Sequence, residues 1–377
     1  MIEKSTQQSV VRILASEKSW IEGEAVRQLE NTAALKSMKI CVGLPDLHPG
    51  RGTPVGAAFY SNNIIYPHIV GNDVGCGIGL WQTSLHNNKV KRDKWARKLT
   101  DLNSPWDGDS HTFIQRCGLE PSKYDSMLGT IGSGNHFAEL QRVEKVFCKE
   151  RFCNLGLDNK KLFLLVHSGS RGIGETLLRN HTEKYGAGGL EATDTTAKRY
   201  LAIHDFGIKW AKCNRTLIAK RFTKQLTTDC APVLDLCHNS VERVQLKGQT
   251  GWLHRKGAAP SDQGMLVIPG SRGSLSYLVI PVGDQTANLW SLAHGAGRKW
   301  NRKSCKSRLK SQFPAKSLSH TDLGSVVICY DNELLYEEAP QAYKNIDHVI
   351  NDMKNEGLIE IIATFRPILT YKRRKTR

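Results

Sequence analysis

Apolar positions fall into short runs more often than into long periodic stretches. Residues 18–36, KSWIEGEAVRQLENTAALK, put Ile21, Val26 and Leu29 on one face, which predicts a helix. KICVGL at 39–44 predicts a buried strand, and the prolines and glycines of PDLHPGRGTPVG after it predict a loop. KLFLLV at 161–166 predicts a second buried strand opening into HSGSRGIG. Between about 197 and 224 a long helix is expected, with Tyr200, Ile203, Gly207, Trp210 and Leu217 near one face. Short strands are expected around 232–236, 265–268 and 277–282. Near the end, YKNIDHVINDMKNEG predicts a helix stopped by glycine, followed by the strand LIEIIATF. Helices and strands interleave irregularly, without repeats or low-complexity linkers. That order predicts an α+β fold with mixed β-sheets and flanking helices, not regular βαβ winding.

Composition narrows the class. Of 377 residues, 40% are hydrophobic and 24% charged, enough apolar content for a packed core. No apolar run approaches the ~20 residues of a membrane span. The first residues, MIEKSTQQSVVRILASEK, lack the apolar stretch of a signal peptide, so a cytosolic protein is expected. In that setting the ten cysteines should be mostly free thiols. The net charge of +17 favours a polyanionic partner over a generic small-molecule enzyme. The excess is spread over 89–98, 198–224, 299–310 and the terminal KRRKTR, and only the last reads as a solvated charge run.

Candidate chemistry sits in clusters of glycine with His, Asp, Cys and Asn: PDLHPGRG (45–52), GNDVGCGIG (71–79), GSGNHF (132–137), HSGSRGIG (167–174) and AHGAGR (293–298). LCHNSVE (236–242) is a sixth, without glycine. The Walker-type GxxxxGK[ST] loop is absent, and HSGSRGIG lacks dinucleotide-loop spacing. Asp73 and Cys76, three apart in a glycine-bracketed turn, allow a carboxylate and a thiolate to converge on one ion. With His136, His167 and His238 they make five donors, more than one tetrahedral ion with an open position uses. Two ions sharing the Cys76 thiolate would account for five and would clamp a phosphoryl group. By ligand softness alone they would be zinc or cobalt. His294 differs, because Ala293, Gly295, Ala296 and Gly297 leave room for an adduct on its ring.

Taken in order, PDLHPGRG, GNDVGCGIG, GSGNHFAEL, LLVHSGSRGIG, CHN, HRKGA, PGSRG, AHGAGR and AYKNIDHVI resemble the RtcB family of RNA ligases, from about residue 20 to about residue 372. The resemblance implies one large catalytic domain over residues 1–377 with a basic tail at 373–377. It implies GTP-dependent joining of RNA 2′,3′-cyclic phosphate or 3′-phosphate ends to 5′-hydroxyl ends. The intermediates would be a guanylylated His294 and an RNA 3′ end carrying a pyrophosphate-linked guanosine. Asp73, Cys76, His136, His167 and His238 would hold two Mn²⁺, with Cys76 bridging. Asn135, His136, Glu139, His238, Asn239, Pro269, Gly270, Ser271, Arg272, Ser276, His294, Gly295, Ala296, Gly297 and Lys372 would face the guanylate. RNA and GTP are the implied partners, with no membrane.

Departures from the family pattern are Arg272 for a common methionine, Pro49 and Arg51 in HPGRG, and Cys237 where a second histidine is frequent. The chain is also shorter than typical members, mainly within 80–130 and 175–230, as in a compact bacterial subgroup. A dinuclear-metal phosphodiesterase is the alternative enzyme, and a non-catalytic RNA-binding protein the alternative of another class.

Overall fold

The structure, a computed structural model, describes residues 2–5, 9–17 and 19–374. Two mixed sheets dominate, so the fold is α+β. In the first, β1 (Ile2–Ser5), β2 (Val10–Ile13), β3 (Met38–His48) and β4 (Val55–Ser61) are followed by β12 (Gln249–Lys256) and β11 (Asn239–Leu246). The second sheet runs β10 (Cys230–Cys237), β6 (Gly77–His86), β8 (Lys161–Ser168), β7 (Phe137–Val146), β18 (Ile359–Arg373), β15 (Ser276–Pro281) and β14 (Leu266–Pro269), with β17 (Val326–Cys329) also on β18. Two small pairs complete the strands: β5 (Ile64–Ile65) with β9 (Leu190–Glu191), and β13 (Ala258–Pro260) with β16 (Ser291–Ala293). Pairings β2–β3 and β17–β18 are parallel; the others are antiparallel.

The second sheet curls, and alternation along β8 shows how. Leu162, Leu164 and Val166 pack with Ile218, Ala219 and Phe222 of the long helix α3 (Thr195–Leu226). Phe163 and Leu165 point the other way, into a core with Ile78, Leu278 and Phe365. Both faces are covered, which is why Leu162 to Val166 are all apolar. α1 (Gly23–Ala33) covers the first sheet with Ala25, Leu29 and Ala33. α4 (Ile346–Asn355) packs Ile346, Val349, Ile350 and Met353 between the sheets.

Several expectations need correction. α1 begins at Gly23, because the stretch before it is irregular among the described residues. β3 continues through Pro45–His48: its pairing with β4 is interrupted after Gly43 and resumes at His48–Val55, so the proline segment is a bulged strand end. Ile203 is 46% exposed, since the buried row of α3 runs through Tyr200, His204, Gly207 and Ala211. The basic end is not all solvated: Lys372 is buried in β18, and the Arg374 guanidinium donates to the Ala96, Arg97 and Leu99 carbonyls. The rest of that tail, 375–377, lies outside the described residues. As expected, most of the ten cysteines are free, eight in all; Cys117 and Cys213 form a disulfide, because α3 sets Cys213 against the end of α2 (Ser110–Arg116) with the Cα atoms 6.3 Å apart. No helix of the described residues is long and apolar enough to cross a membrane.

Candidate functional site

Strand parity and register gather the candidate ligands. His167 continues the Phe163–Leu165 side of β8, so it faces away from α3. It pairs with Ile78 of β6 and Phe137 of β7, while Cys237 of β10 pairs with Gly77 of β6. Cys76, His136 and His238 therefore flank the ends of β6, β7 and β10, grouped around His167 on β8. The Asp73–Cys76 turn closes with Cys76 N–H donating to the Asp73 carbonyl at 3.0 Å. Gly75 has φ +73° and lies against α3, where a Cβ would come within 3.1 Å of the Gly207 carbonyl.

All five predicted ligands meet. Cys76 Sγ lies 3.3 Å from His136 Nε2 and 3.1 Å from His167 Nε2. His167 Nε2 is 3.3 Å from His238 Nε2, and Asp73 Oδ2 is 3.1 Å from His136 Nε2. His167 Nδ1–H donates to the Asn135 carbonyl at 3.3 Å, which turns the Nε2 lone pair toward the cluster. Donor atoms about 3.3 Å apart match the edge of a ligand shell with bonds of ~2.0–2.3 Å. Burial, with neighbouring cationic groups, holds His167 and His238 far below the ordinary histidine range, in the neutral ligating form. Burial, joined by Asp73, pushes the Cys76 thiol up. Burial alone would raise Asp73, but the His136 ring beside it overrides that and holds the carboxyl well down. Thiolate, carboxylate and neutral imidazoles are a donor set that fits divalent ions.

Beside this cluster is His294, its ring 4.7 Å from that of His238. The partner of His294 is far from it in sequence and carries no local signal. Asp46, fully buried on the bulged end of β3, accepts from His294 Nδ1–H at 2.7 Å and from His294 N–H at 3.1 Å. The Nε2 lone pair of His294 is thereby left free. Gly297 has φ +71° and presses on the Asp46 backbone, where a Cβ would lie 2.3 Å from its carbonyl oxygen.

A cleft of about 1360 Å³ opens beside His294, lined among others by Asn135, Glu139, Asn239, Pro269, Gly270, Ser271, Arg272, Gly295, Ala296, Gly297 and Lys372. Ser276 lies behind that wall, accepting from Gln141 Nε2 at 2.8 Å. Arg272 is buried and donates to the Leu335 carbonyl at 2.9 Å. Lys372 Nζ donates to the Gly134 carbonyl at 3.0 Å and sits 3.4 Å from Glu338, which also pairs with Arg298. Burial would raise Glu338, but Lys372, Arg302 and Arg298 pull it down to about 2. Glu338, Arg171 (3.2 Å from His136 Nδ1) and Lys256 also line the cleft and were not singled out by sequence. Arg171 lies within HSGSRGIG and Lys256 within HRKGA, whereas the surroundings of Glu338 carry no glycine–histidine signal.

Glu139 is buried, and burial raises it from 4.5 to about 7 against bonds from Thr370 and Gln141. Between those values the unfolded carboxyl ionises while the folded one stays protonated, so stability falls as pH rises. Glu139→Gln should not show this loss. Its stability relative to the parent should rise by about 3 kcal/mol between pH 4.5 and 8, read by denaturant titration of the metal-free protein. Parallel pH profiles would refute the assignment.

The sequence profile of the tRNA-splicing ligase RtcB family matches residues 28–112 and 115–373. The chain belongs to the RtcB family. It is 47% identical over 362 residues to the RNA-splicing ligase RtcB2 of Escherichia coli, covering 95% of this chain and 94% of the relative. It is 28% identical over 456 residues to the tRNA-splicing ligase RtcB of Nanoarchaeum equitans (96% and 95% covered). With the RNA-splicing ligase RtcB of Escherichia coli K12 identity is 26% over 410 residues (93% and 95% covered). RtcB membership supports an RNA ligase function for the chain, with RNA as its substrate.

Proposed function

We propose that this RtcB-family chain acts in the cytosol as one catalytic unit. It would join RNA 2′,3′-cyclic phosphate or 3′-phosphate ends to 5′-hydroxyl ends, using GTP and two Mn²⁺ ions. The observation that carries the reading is His294, with Nδ1 held by Asp46 and Nε2 free beside five convergent donors. Asp73, Cys76, His136, His167 and His238 would hold the metals. When bound, the ions supply charge neutralisation at phosphoryl oxygens.

The chain's own residues do the rest. His294 Nε2 attacks the α-phosphorus of GTP; the new P–N bond replaces the bond to the β-phosphate oxygen, and pyrophosphate leaves. Asp46 stabilises the positive charge that develops on the ring. The small side chains at 295–297 leave space for the adduct. An RNA 3′-phosphate oxygen then takes the GMP from His294, breaking the P–N bond. The 5′-hydroxyl oxygen attacks the activated 3′-phosphorus and GMP departs, its bond replaced by the RNA phosphodiester. Cyclic ends are first hydrolysed to 3′-phosphates. Glu139, Lys372 and the 269–272 segment line the guanylate end of the cleft.

Incubation with radiolabelled GTP and Mn²⁺, followed by denaturing electrophoresis, tests the reading. A covalent label with RNA joining is expected. No label together with RNA cleavage would favour the phosphodiesterase instead. Asp46→Asn should keep the fold and lower the labelling rate on the order of 10²-fold, because the amide lacks the charge that pairs with the developing imidazolium. Unchanged labelling kinetics would remove Asp46 from the step.

A further inference from the structure

Two adjacent side chains in the middle of α3, Asn214 and Arg215, are fully buried against the strand ends that carry the metal donors. The Arg215 fork is fully used. Nε and Nη2 bind the Asp235 carboxylate at 3.0 and 2.6 Å. Nη1 donates to the Gly75 carbonyl at 2.8 Å and the Ser168 carbonyl at 2.7 Å, and Nη2 to Cys237 Sγ at 3.4 Å. Each of these last three residues is next in sequence to a donor: Gly75 to Cys76, Ser168 to His167, and Cys237 to His238.

Asn214 covers the remaining segment. Its Oδ1 accepts from Gly129 N–H at 2.7 Å, and its Nδ2 donates to the Thr130 carbonyl at 3.1 Å and to Ser168 Oγ at 3.2 Å. Ser168 Oγ in turn donates to the Ile131 carbonyl at 2.8 Å. That segment leads directly into Asn135 and His136.

We propose that Arg215, backed by Asn214, is a positioning residue of the metal centre, setting the spacing between the three strand ends that present Cys76, His167 and His238. The inference rests on the metal-site reading above. Strand pairing fixes which residues are opposite one another, but it leaves the ends of a curled sheet free to splay. A planar guanidinium with several fixed donors sets their separation, which an aliphatic side chain of similar volume would not do. Stability alone does not explain the choice, because a buried ion pair is often replaceable by packed apolar residues. Asp235 cancels the charge, so the fork adds no net repulsion against the divalent ions.

The experiment is metal binding by the whole chain. Mn²⁺ binding is followed by calorimetry and Co²⁺ binding by its thiolate charge-transfer absorption, for the parent and Arg215→Lys. Lysine keeps the charge but cannot serve both carbonyls, the thiol and Asp235 together. Metal affinity should fall roughly 10–100-fold, the range for residues that orient ligands from behind. The circular dichroism of the folded protein should be unchanged. A merely structural role would lower the melting temperature of the metal-free protein and leave the affinity of the folded fraction alone, which would overturn the proposal. If Arg215→Lys does not fold, Asp235→Asn replaces it, and unchanged affinity there overturns the proposal equally. A parent chain that binds neither ion refutes the metal reading itself, a result distinct from equal binding by parent and variant.

Discussion

A chain carrying His294→Ala should form no covalent guanylate and should leave RNA 3′-phosphate ends unsealed with GTP, a loss of at least about 10³-fold. It should nevertheless join an RNA whose 3′ end already carries the pyrophosphate-linked guanosine. In the proposed mechanism the two steps use different groups. Taking GMP from GTP needs the Nε2 lone pair that Asp46 leaves exposed by binding Nδ1. Sealing needs a positioned 5′-hydroxyl and the donors Asp73, Cys76, His136, His167 and His238, none of which comes from the 294–298 loop. Alanine in place of His294 leaves the cluster contacts of His167 with Cys76 and His238 in place. Single-turnover sealing of both substrates, by a mutant shown to be folded and metal-loaded, is the measurement. Equal failure on both would remove His294 as guanylyl carrier, and normal ligation with GTP would remove it from the reaction.

Cys76→Ala should cost the protein most of its bound metal, and guanylylation and ligation with it, each by about 10³-fold or more. Cys76 Sγ touches two imidazole Nε2 atoms and lies in the same turn as Asp73, so it is the donor best placed to be shared. Alanine offers no ligand and leaves His136 and His167 facing a gap. If Cys76 were only a small buried hydrophobe, its loss would cost stability and no metal. Metal per folded chain, by mass spectrometry, separates the two. An unchanged ratio would sink the bridging role.

How far the site could be read from sequence depended on local signals. Short-range chemistry was visible: Asp73 and Cys76 share one turn, and His136, His167 and His238 sit at strand ends among glycines or polar residues. Long-range partners were not. Asp46 lies in a proline–glycine stretch that looks like a loop, and its histidine is 248 residues away. Arg215 sits in a basic helical segment that does not reveal which of its cations is buried, and its carboxylate arrives only with β10. Composition alone puts Lys372 at the start of a charged run, and only the family resemblance points it at the site. Strand parity places it inside, beside Glu338. In the fold, KLFLLV was plain because both faces are apolar. β7 was obscured, since FAELQRVEKV mixes buried polar groups such as Glu139 and Gln141 with exposed charges.

The place of β18 in its sheet bears on how the protein comes into being. This strand, near the C-terminal end of the chain, is inserted between β7 and β15, which are themselves 130 residues apart. A chain emerging from the ribosome cannot close the sheet until residues 359–373 have been made. Before then β7 and β15 present open edges, the surfaces most prone to wrong pairing. The same geometry keeps a truncated product from being a half-working enzyme, since the oriented His294 needs residue 46 and the wall of the cleft beside it needs residue 372. Synthesis cut short at any point before that strand should therefore yield a chain that chaperones and proteases recognise, and no fragment that modifies RNA.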